Sequence, residues 1–266
     1  MKETLVDCLT AAGRLLLEHF GKVRGIRLKE NRSSVVTEAD LASEALIFGR
    51  IRARYPEHNL VGEETGLQDR GSAFTWVVDP LDGTSNFAAG IPWFGVMITV
   101  LERDEPVVAG MYLPADDLLY FASRGSGVTR NEQPVRVTPE TSIGNILCGY
   151  GMDANARDEG ARRQAAALGF LVQKVRNVRA TNSLVDVAYT IDGRFGAWVN
   201  YEMKLWDVAA PSLLLPESGA VVTDLSGRPI RLSLGPECCG RSYAALAASP
   251  VLHPQVLQVL RPAPAP

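Results

Sequence analysis

At 266 residues with 46% hydrophobic side chains, the chain can bury a substantial core and is long enough for one large domain or two small ones. A net charge of −3 gives no general electrostatic reason to expect nucleic-acid binding, and no apolar run approaches the roughly 20 residues that span a bilayer. The four cysteines, Cys8, Cys148, Cys238 and Cys239, have neither zinc-type spacing nor disulfide-scaffold density, and the early acids Glu3 and Asp7 argue against a secretory signal, so the expected compartment is a reducing cytoplasm.

Leu5, Leu9, Ala12, Leu16 and Phe20 recur at helical spacing and predict an opening amphipathic helix. Thr37 with Asp40 forms a capping pattern ahead of a second helix, whose apolar face is read as Leu41, Ala45, Phe48 and Ile51. Leu60-Val61 is a short apolar run ending in Gly62-Glu63-Glu64, and the polar stretch from Thr65 to Ser72 reads as a surface loop. Trp76 to Val78 reads as a buried strand, which Pro80 is expected to break off at Asp79 because proline cannot continue a hydrogen-bonded ladder. Phe94 to Leu101, Pro106 to Leu113, Leu118 to Ala122 and Val135 to Val137 suggest an antiparallel meander with turns at 103–105 and 114–117.

Past a boundary at 138–144 the rhythm changes to strand and helix in alternation. Ile146 to Tyr150 is a strand, Arg157 to Leu168 a helix and Val172 to Val178 a strand. A helix from Ser183 to Ile191, a strand from Phe195 to Val199, a helix from Val208, a strand from Ala220 to Thr223 and a final strand and helix follow. The elements amount to a mixed α/β chain with two sheets, one domain built of subdomains 1–140 and 141–266, with a frayed tail at 261–266. Arg157, Arg162 and Arg163 read as a solvated helix face, and His19, His58 and His253 are scattered without evident partners and carry no catalytic role.

The chemistry concentrates in Asp79-Pro80-Leu81-Asp82-Gly83-Thr84-Ser85-Asn86-Phe87. Two carboxylates leave the end of an apolar strand around a Pro-Leu turn, and carboxylate and backbone carbonyl oxygens are the ligands hard cations such as Mg²⁺ take. Gly83 permits close approach of the backbone, and Thr84 and Ser85 start a helix turn whose N–H groups form an anion cradle. An Asp-Gly alone is more often a turn, but a strand, two acids, a glycine and a hydroxyl in register exceed what one turn needs. Two further acidic sites can supply missing ligands. Glu63 stands at a strand end, and Asp207, in Trp206-Asp207-Val208-Ala209-Ala210, stands near a helix start where a cap is the simpler reading.

Together these three motifs, with Val36-Thr37-Glu38-Ala39-Asp40 upstream and Gly125-Ser126-Gly127 and Asn131 between, resemble the signatures of the inositol monophosphatase family, Mg²⁺-dependent and lithium-sensitive phosphomonoesterases. The resemblance runs over nearly the whole chain and implies a layered αβαβα sandwich with the metal site between its halves. It implies two Mg²⁺ ions, one held by Glu63, Asp79 and the Leu81 carbonyl and one by Asp79, Asp82 and Asp207, with room for a third near Glu63. It also implies phosphate binding at Gly83 and Thr84, and in-line attack on phosphorus by a metal-activated water polarised by Thr84, itself paired with Asp40. Lys29 aligns with a family lysine near the metals and reads equally well as an exposed basic residue. Glu202 takes the place of a substrate-touching glutamate, in a segment two residues shorter than in inositol-specific relatives. Asn182 and Ser183 fall in a stretch more polar than usual, suited to substrate hydroxyls or to capping the next helix. Relatives act on inositol phosphates, fructose bisphosphate, histidinol phosphate and phosphoadenosine nucleotides, commonly as homodimers, and some bacterial ones bind RNA and the transcription machinery. A small phosphorylated polyol or sugar is therefore the first expectation for the substrate.

Overall fold

The computed structural model of the chain describes residues 1–22, 27–28, 35–152 and 158–260. Helix α1 (Lys2–His19) buries Leu5, Leu9, Ala12 and Leu16 as its spacing predicts. A two-stranded ribbon, β1 (Arg27–Leu28) with β2 (Val35–Val36), leads into α2 (Glu38–Arg54). The first half then lays down β3 (Asn59–Gly62), β4 (Gly66–Gln68), β5 (Phe74–Asp82), the short helix α3 (Thr84–Ala88), β6 (Gly95–Glu102), β7 (Glu105–Leu113), β8 (Leu118–Ser123), β9 (Val128–Arg130) and β10 (Gln133–Val135). These form one eight-stranded sheet in the order β10-β9-β8-β7-β6-β5-β3-β4, antiparallel except where β3 runs parallel to β5.

The second half adds β11 (Leu147–Gly151), α4 (Asp158–Leu171), β12 (Asn177–Arg179), α5 (Leu184–Ile191), β13 (Ala197–Met203), α6 (Leu205–Ala209), α7 (Pro211–Glu217), β14 (Val221–Thr223), β15 (Tyr243–Ala248) and α8 (Leu252–Leu260). Its sheet has the order β12-β11-β13-β15-β14, with β11 parallel to both its neighbours.

Strand alternation sorts the core into layers. Trp76, Val78, Val96 and Ile98 pack with residues of α1 and α2, whereas Val77 and Met97 point the other way, into a core shared with α5, α6 and α7 and with Trp198 of the second sheet. The far face of that second sheet, with Cys148, Val199 and Leu246, packs with Leu171 of α4 and Val256 of α8. The result is the αβαβα order, helices outside both sheets and between them. Among the described residues no helix is long and apolar enough to cross a membrane.

Several boundaries differ from the sequence reading. The expected loop at 65–72 contains β4, paired antiparallel with β3. Strand β9 lies in the stretch read as a connection, β10 starts and ends two residues earlier than expected, and the strand expected over 172–178 is reduced to β12. The late helix begins at Leu205 and restarts at Pro211, which fits the first position of a helix but removes a backbone donor. Helix α2 turns a different face inward. Its buried residues are Ala39, Asp40, Ser43, Glu44, Ile47, Phe48 and Ile51, while Leu41 is 49% exposed and Ala45 is exposed. Stepping back by fours from Ile47 and Phe48 reaches Ser43, Glu44 and Asp40, so the true stripe becomes polar toward the helix start. Arg157 and the tail 261–266 lie outside the described residues.

Candidate metal centre

In a regular strand, residues three apart face opposite sides of the sheet. Asp79 and Asp82 escape that rule because β5 continues through Pro80 with a register shift: Asp79 opposes Met97 and Asp82 opposes Gly95, so β5 holds one residue more than β6 in the interval. The expected break at Asp79 is therefore a bulge, a position that tolerates proline's missing N–H. Asp79 is buried and its Oδ1 accepts the Leu81 N–H at 3.1 Å. Asp207 arrives from α6, and one carboxylate oxygen from each of Asp79, Asp82 and Asp207 lies within 4.8 Å of the others. Glu63 stands outside this trio, but the parallel pairing of Gly62 with Val78, extended by the Glu63 N–H to the Val78 carbonyl at 3.3 Å, sets it abreast of Asp79.

Three carboxylates at this separation repel one another, and hard oxygen donors matched to a divalent cation are the donor set that relieves the repulsion. The residues therefore fit Mg²⁺. Asp207 also accepts the Lys204 N–H at 2.6 Å, so this member of the acidic trio caps α6 as well.

The same doubling occurs at Asp40. Its Oδ2 accepts the Thr37 N–H at 2.8 Å and the Thr37 hydroxyl at 2.6 Å, while its Oδ1 lies 3.0 Å from the Thr84 hydroxyl oxygen. Thr84 Oγ1 is also 2.9 Å from the Leu81 carbonyl, so a single hydroxyl sits between the bulge and a fully buried carboxylate. Gly83 precedes it with φ +83°, and a Cβ there would come within 2.5 Å of the Trp93 carbonyl and 3.1 Å of Ser183 Cβ.

Two contributors were not singled out in the sequence. Ser43 donates its hydroxyl to the Pro80 carbonyl at 2.7 Å, and Glu44 Oε2 accepts the Glu64 N–H at 2.9 Å. The signal was available: polar residues three and four positions after Asp40 share its helix face.

The second half docks through α5. The Leu184 N–H donates to Asp82 Oδ1, a carboxylate at a helix N-terminus, and Asn86 Nδ2 donates to the Thr181 carbonyl at 2.9 Å. Ser183 caps α5, accepting the Val185 N–H at 3.4 Å, and Asn182, at φ +52°, accepts the Met152 N–H at 3.1 Å. Glu202 lies on β13, its N–H donated to Asn200 Oδ1. Lys29 lies outside the described residues.

In α5's first turn, Asp186 is buried against Gly149 and Thr181, and this burial pushes its carboxyl up to about 7 against the Thr181 hydrogen bonds that favour the charged form. The histidines do have partners, contrary to expectation: His58 Nδ1 meets Trp76 Nε1 at 3.0 Å between the rings of Tyr55 and Phe74, His253 Nε2 meets Thr223 Oγ1 at 2.9 Å, and His19 Nδ1 meets the Leu15 carbonyl. Burial lowers the pKa of both His58 and His253.

The sequence matches the inositol monophosphatase family over residues 1–264. A Xylella fastidiosa protein named Nus factor SuhB is 33% identical over 239 residues, 88% of this chain and 86% of that protein. The fructose-1,6-bisphosphatase/inositol-1-monophosphatase of Aquifex aeolicus is 31% identical over 252 residues, 94% of this chain and 91% of its own length. The crystal structure of the extragenic suppressor protein SuhB from Bartonella henselae superposes with a TM-score of 0.89 at 26% identity, covering 99% of each chain. A match spanning the chain, around three acids converging on a bulged strand, shows that the protein belongs to the inositol monophosphatase family of phosphomonoesterases.

Proposed function

We propose that the chain hydrolyses a small phosphate monoester, an inositol phosphate or a related polyol or sugar phosphate, in a reaction that depends on Mg²⁺. The observation that carries this reading is the convergence of Asp79, Asp82 and Asp207 within 4.8 Å beside the Thr84–Asp40 hydrogen bond. Asp79, Asp82 and Asp207 would hold one ion, and Glu63, Asp79 and the Leu81 carbonyl a second. Mg²⁺ held there would supply the positive charge that offsets the phosphate dianion and lowers the pKa of the attacking water.

The chain's own groups do the rest. Thr84 orients the water through its hydroxyl oxygen, and its own proton is held by Asp40, whose carboxylate can take up the proton the water releases, as a threonine alone cannot. Gly83 and the first N–H groups of α3 face the phosphate. Lys29, Asn182, Ser183 and Glu202 are the candidates for substrate recognition. Asn182 Oδ1 accepts the Met152 N–H and Ser183 Oγ the Val185 N–H, so both candidate side chains are held by the chain's own backbone.

Phosphate release from a panel of inositol, fructose, histidinol and 3′-nucleotide phosphates, with Mg²⁺ and with chelator, tests the proposal. Turnover of a polyol or sugar ester that vanishes on chelation is the expected result, and preference for histidinol phosphate or a 3′-nucleotide would reassign the substrate. The Nus factor name of the Xylella relative supports a second reading, binding to RNA or the transcription machinery. Retained RNA polymerase binding in the Asp82→Asn protein, with no turnover of any ester by the wild type, would favour it.

A further inference from the structure

Helix α2 touches the candidate metal centre at three successive points of one face. Asp40 reaches Thr84, Ser43 reaches the carbonyl of Pro80 inside the bulge, and Glu44 reaches the N–H of Glu64. The third contact has features that a simple packing residue would not need. Glu44 is 2% exposed, and its Oε1 is buried with no hydrogen-bond partner among the described residues. A buried carboxylate with one bare oxygen is costly, and an apolar side chain of similar volume would fill the same space without that cost.

The carboxylate also occupies the space a side chain at Gly62 would need. A Cβ on Gly62 would lie 2.2 Å from Glu44 Oε2 and 2.5 Å from its Cδ. Gly62 and Glu64 flank Glu63, so the one carboxylate group lies against the residue before Glu63 and bonds to the residue after it. With the Glu63 N–H on Val78, the backbone of this ligand segment is pinned from both sides.

We propose that Glu44 is a positioning residue for Mg²⁺ binding: its Oε2 anchors the Gly62-Glu63-Glu64 segment so that Glu63 is presented to the metal centre beside Asp79. The proposal rests on the phosphatase reading and goes beyond it by assigning a role to a residue that touches neither metal nor substrate. The contact that matters is the hydrogen bond to the Glu64 N–H, not the charge.

Three variants separate those terms. Glu44→Gln keeps the length and an acceptor oxygen, Glu44→Asp keeps the charge but withdraws it by about 1.5 Å, and Glu44→Ala removes both. Mg²⁺ affinity is read by calorimetric titration of the full chain, and hydrogen exchange of the Glu64 amide is read without metal. Wild type and Glu44→Gln should bind Mg²⁺ alike and protect the Glu64 amide. Glu44→Asp and Glu44→Ala should bind at least about tenfold more weakly, with faster exchange at Glu64 and an unchanged KM for the ester at saturating Mg²⁺. Wild-type Mg²⁺ affinity in the folded Asp or Ala variant overturns the proposal, as does a Gln variant as weak as Ala. If the Ala variant does not fold, the Asp variant decides. Failure of the wild type itself to bind Mg²⁺ would instead remove the phosphatase reading, and this inference with it.

Discussion

Replacing Asp40 by asparagine separates its two duties, because each falls on a different oxygen. Oδ2 holds the start of α2 through the Thr37 N–H and hydroxyl, while Oδ1 holds the Thr84 hydroxyl. Asparagine can place its one carbonyl oxygen where Oδ2 stands and keep the cap. Its NH₂ then faces Thr84, whose hydroxyl is left to donate to the Leu81 carbonyl. The expected stability loss is therefore no more than that of a single hydrogen bond or cap, about 1 kcal/mol. The charge and proton acceptor beside Thr84 are lost altogether, and a positioned acid or base contributes roughly 10²–10⁴ in rate, or about 3–5 kcal/mol of barrier. Initial rates of phosphate release at saturating Mg²⁺, with melting temperatures by scanning calorimetry, measure the two quantities independently. Thr84→Ala should lose a comparable factor, Thr84→Ser should keep most of the activity, and Asp40→Asn/Thr84→Ala should be little worse than the poorer single variant, since groups acting as one unit are strongly non-additive. Losses that multiply in the double variant, or an Asp40→Asn protein that melts earlier yet turns over normally, would refute the coupled pair.

Asp82→Asn should abolish turnover while the fold survives, because an amide oxygen can still accept the Leu184 N–H; near-normal rates with an unchanged Mg²⁺ requirement would remove Asp82 from the ligand set. Gly83→Ala should lower the melting temperature, since left-handed backbone costs about 1–2 kcal/mol for a residue with a Cβ and the Trp93 carbonyl stands 2.5 Å from that Cβ; an unchanged melting temperature would contradict the geometry. Asp186→Asn should change the pH dependence of stability. A carboxyl whose pKa rises from 3.8 to about 7 on folding stabilises the protein most below pH 3.8, and that contribution is lost as pH rises toward 7. The variant should therefore gain on the wild type across that window, by on the order of 4 kcal/mol at most, in denaturant titrations at pH 4 and pH 8; parallel curves would show that Asp186 is not a buried proton holder.

The sequence carried the elements whose signal is local. The α1 stripe, the strands with alternating apolar residues and the acids around Pro80 were legible because periodicity and turn chemistry act within a few residues. The bulge was not, because a strand is extended through Pro80 by its pairing with β6, a non-local contact that overrides proline's local preference. The inner face of α2 was misread for a related reason. Apolar spacing predicts one face, yet Asp40, Ser43 and Glu44 are buried with partners far away in the chain: Thr84 at the start of α3, Pro80 on β5 and Glu64 after β3. The acids of the candidate metal centre stand in short motifs that carry the family resemblance, whereas Leu184 as a partner of Asp82, 102 residues away, leaves no trace in the local sequence.

The bulge between Asp79 and Asp82 makes the motif a matter of parity. Directions along a strand alternate, so the number of residues between two side chains, odd or even, decides whether they share a side, and here one extra residue on β5 converts the wrong parity into the right one. Substitutions of Pro80 or Leu81 leave that count alone. A single insertion or deletion between the aspartates changes it, carrying one carboxylate to the opposite face of the sheet, where Trp76 and Val78 pack with the outer helices. The segment can therefore drift in composition but not in length.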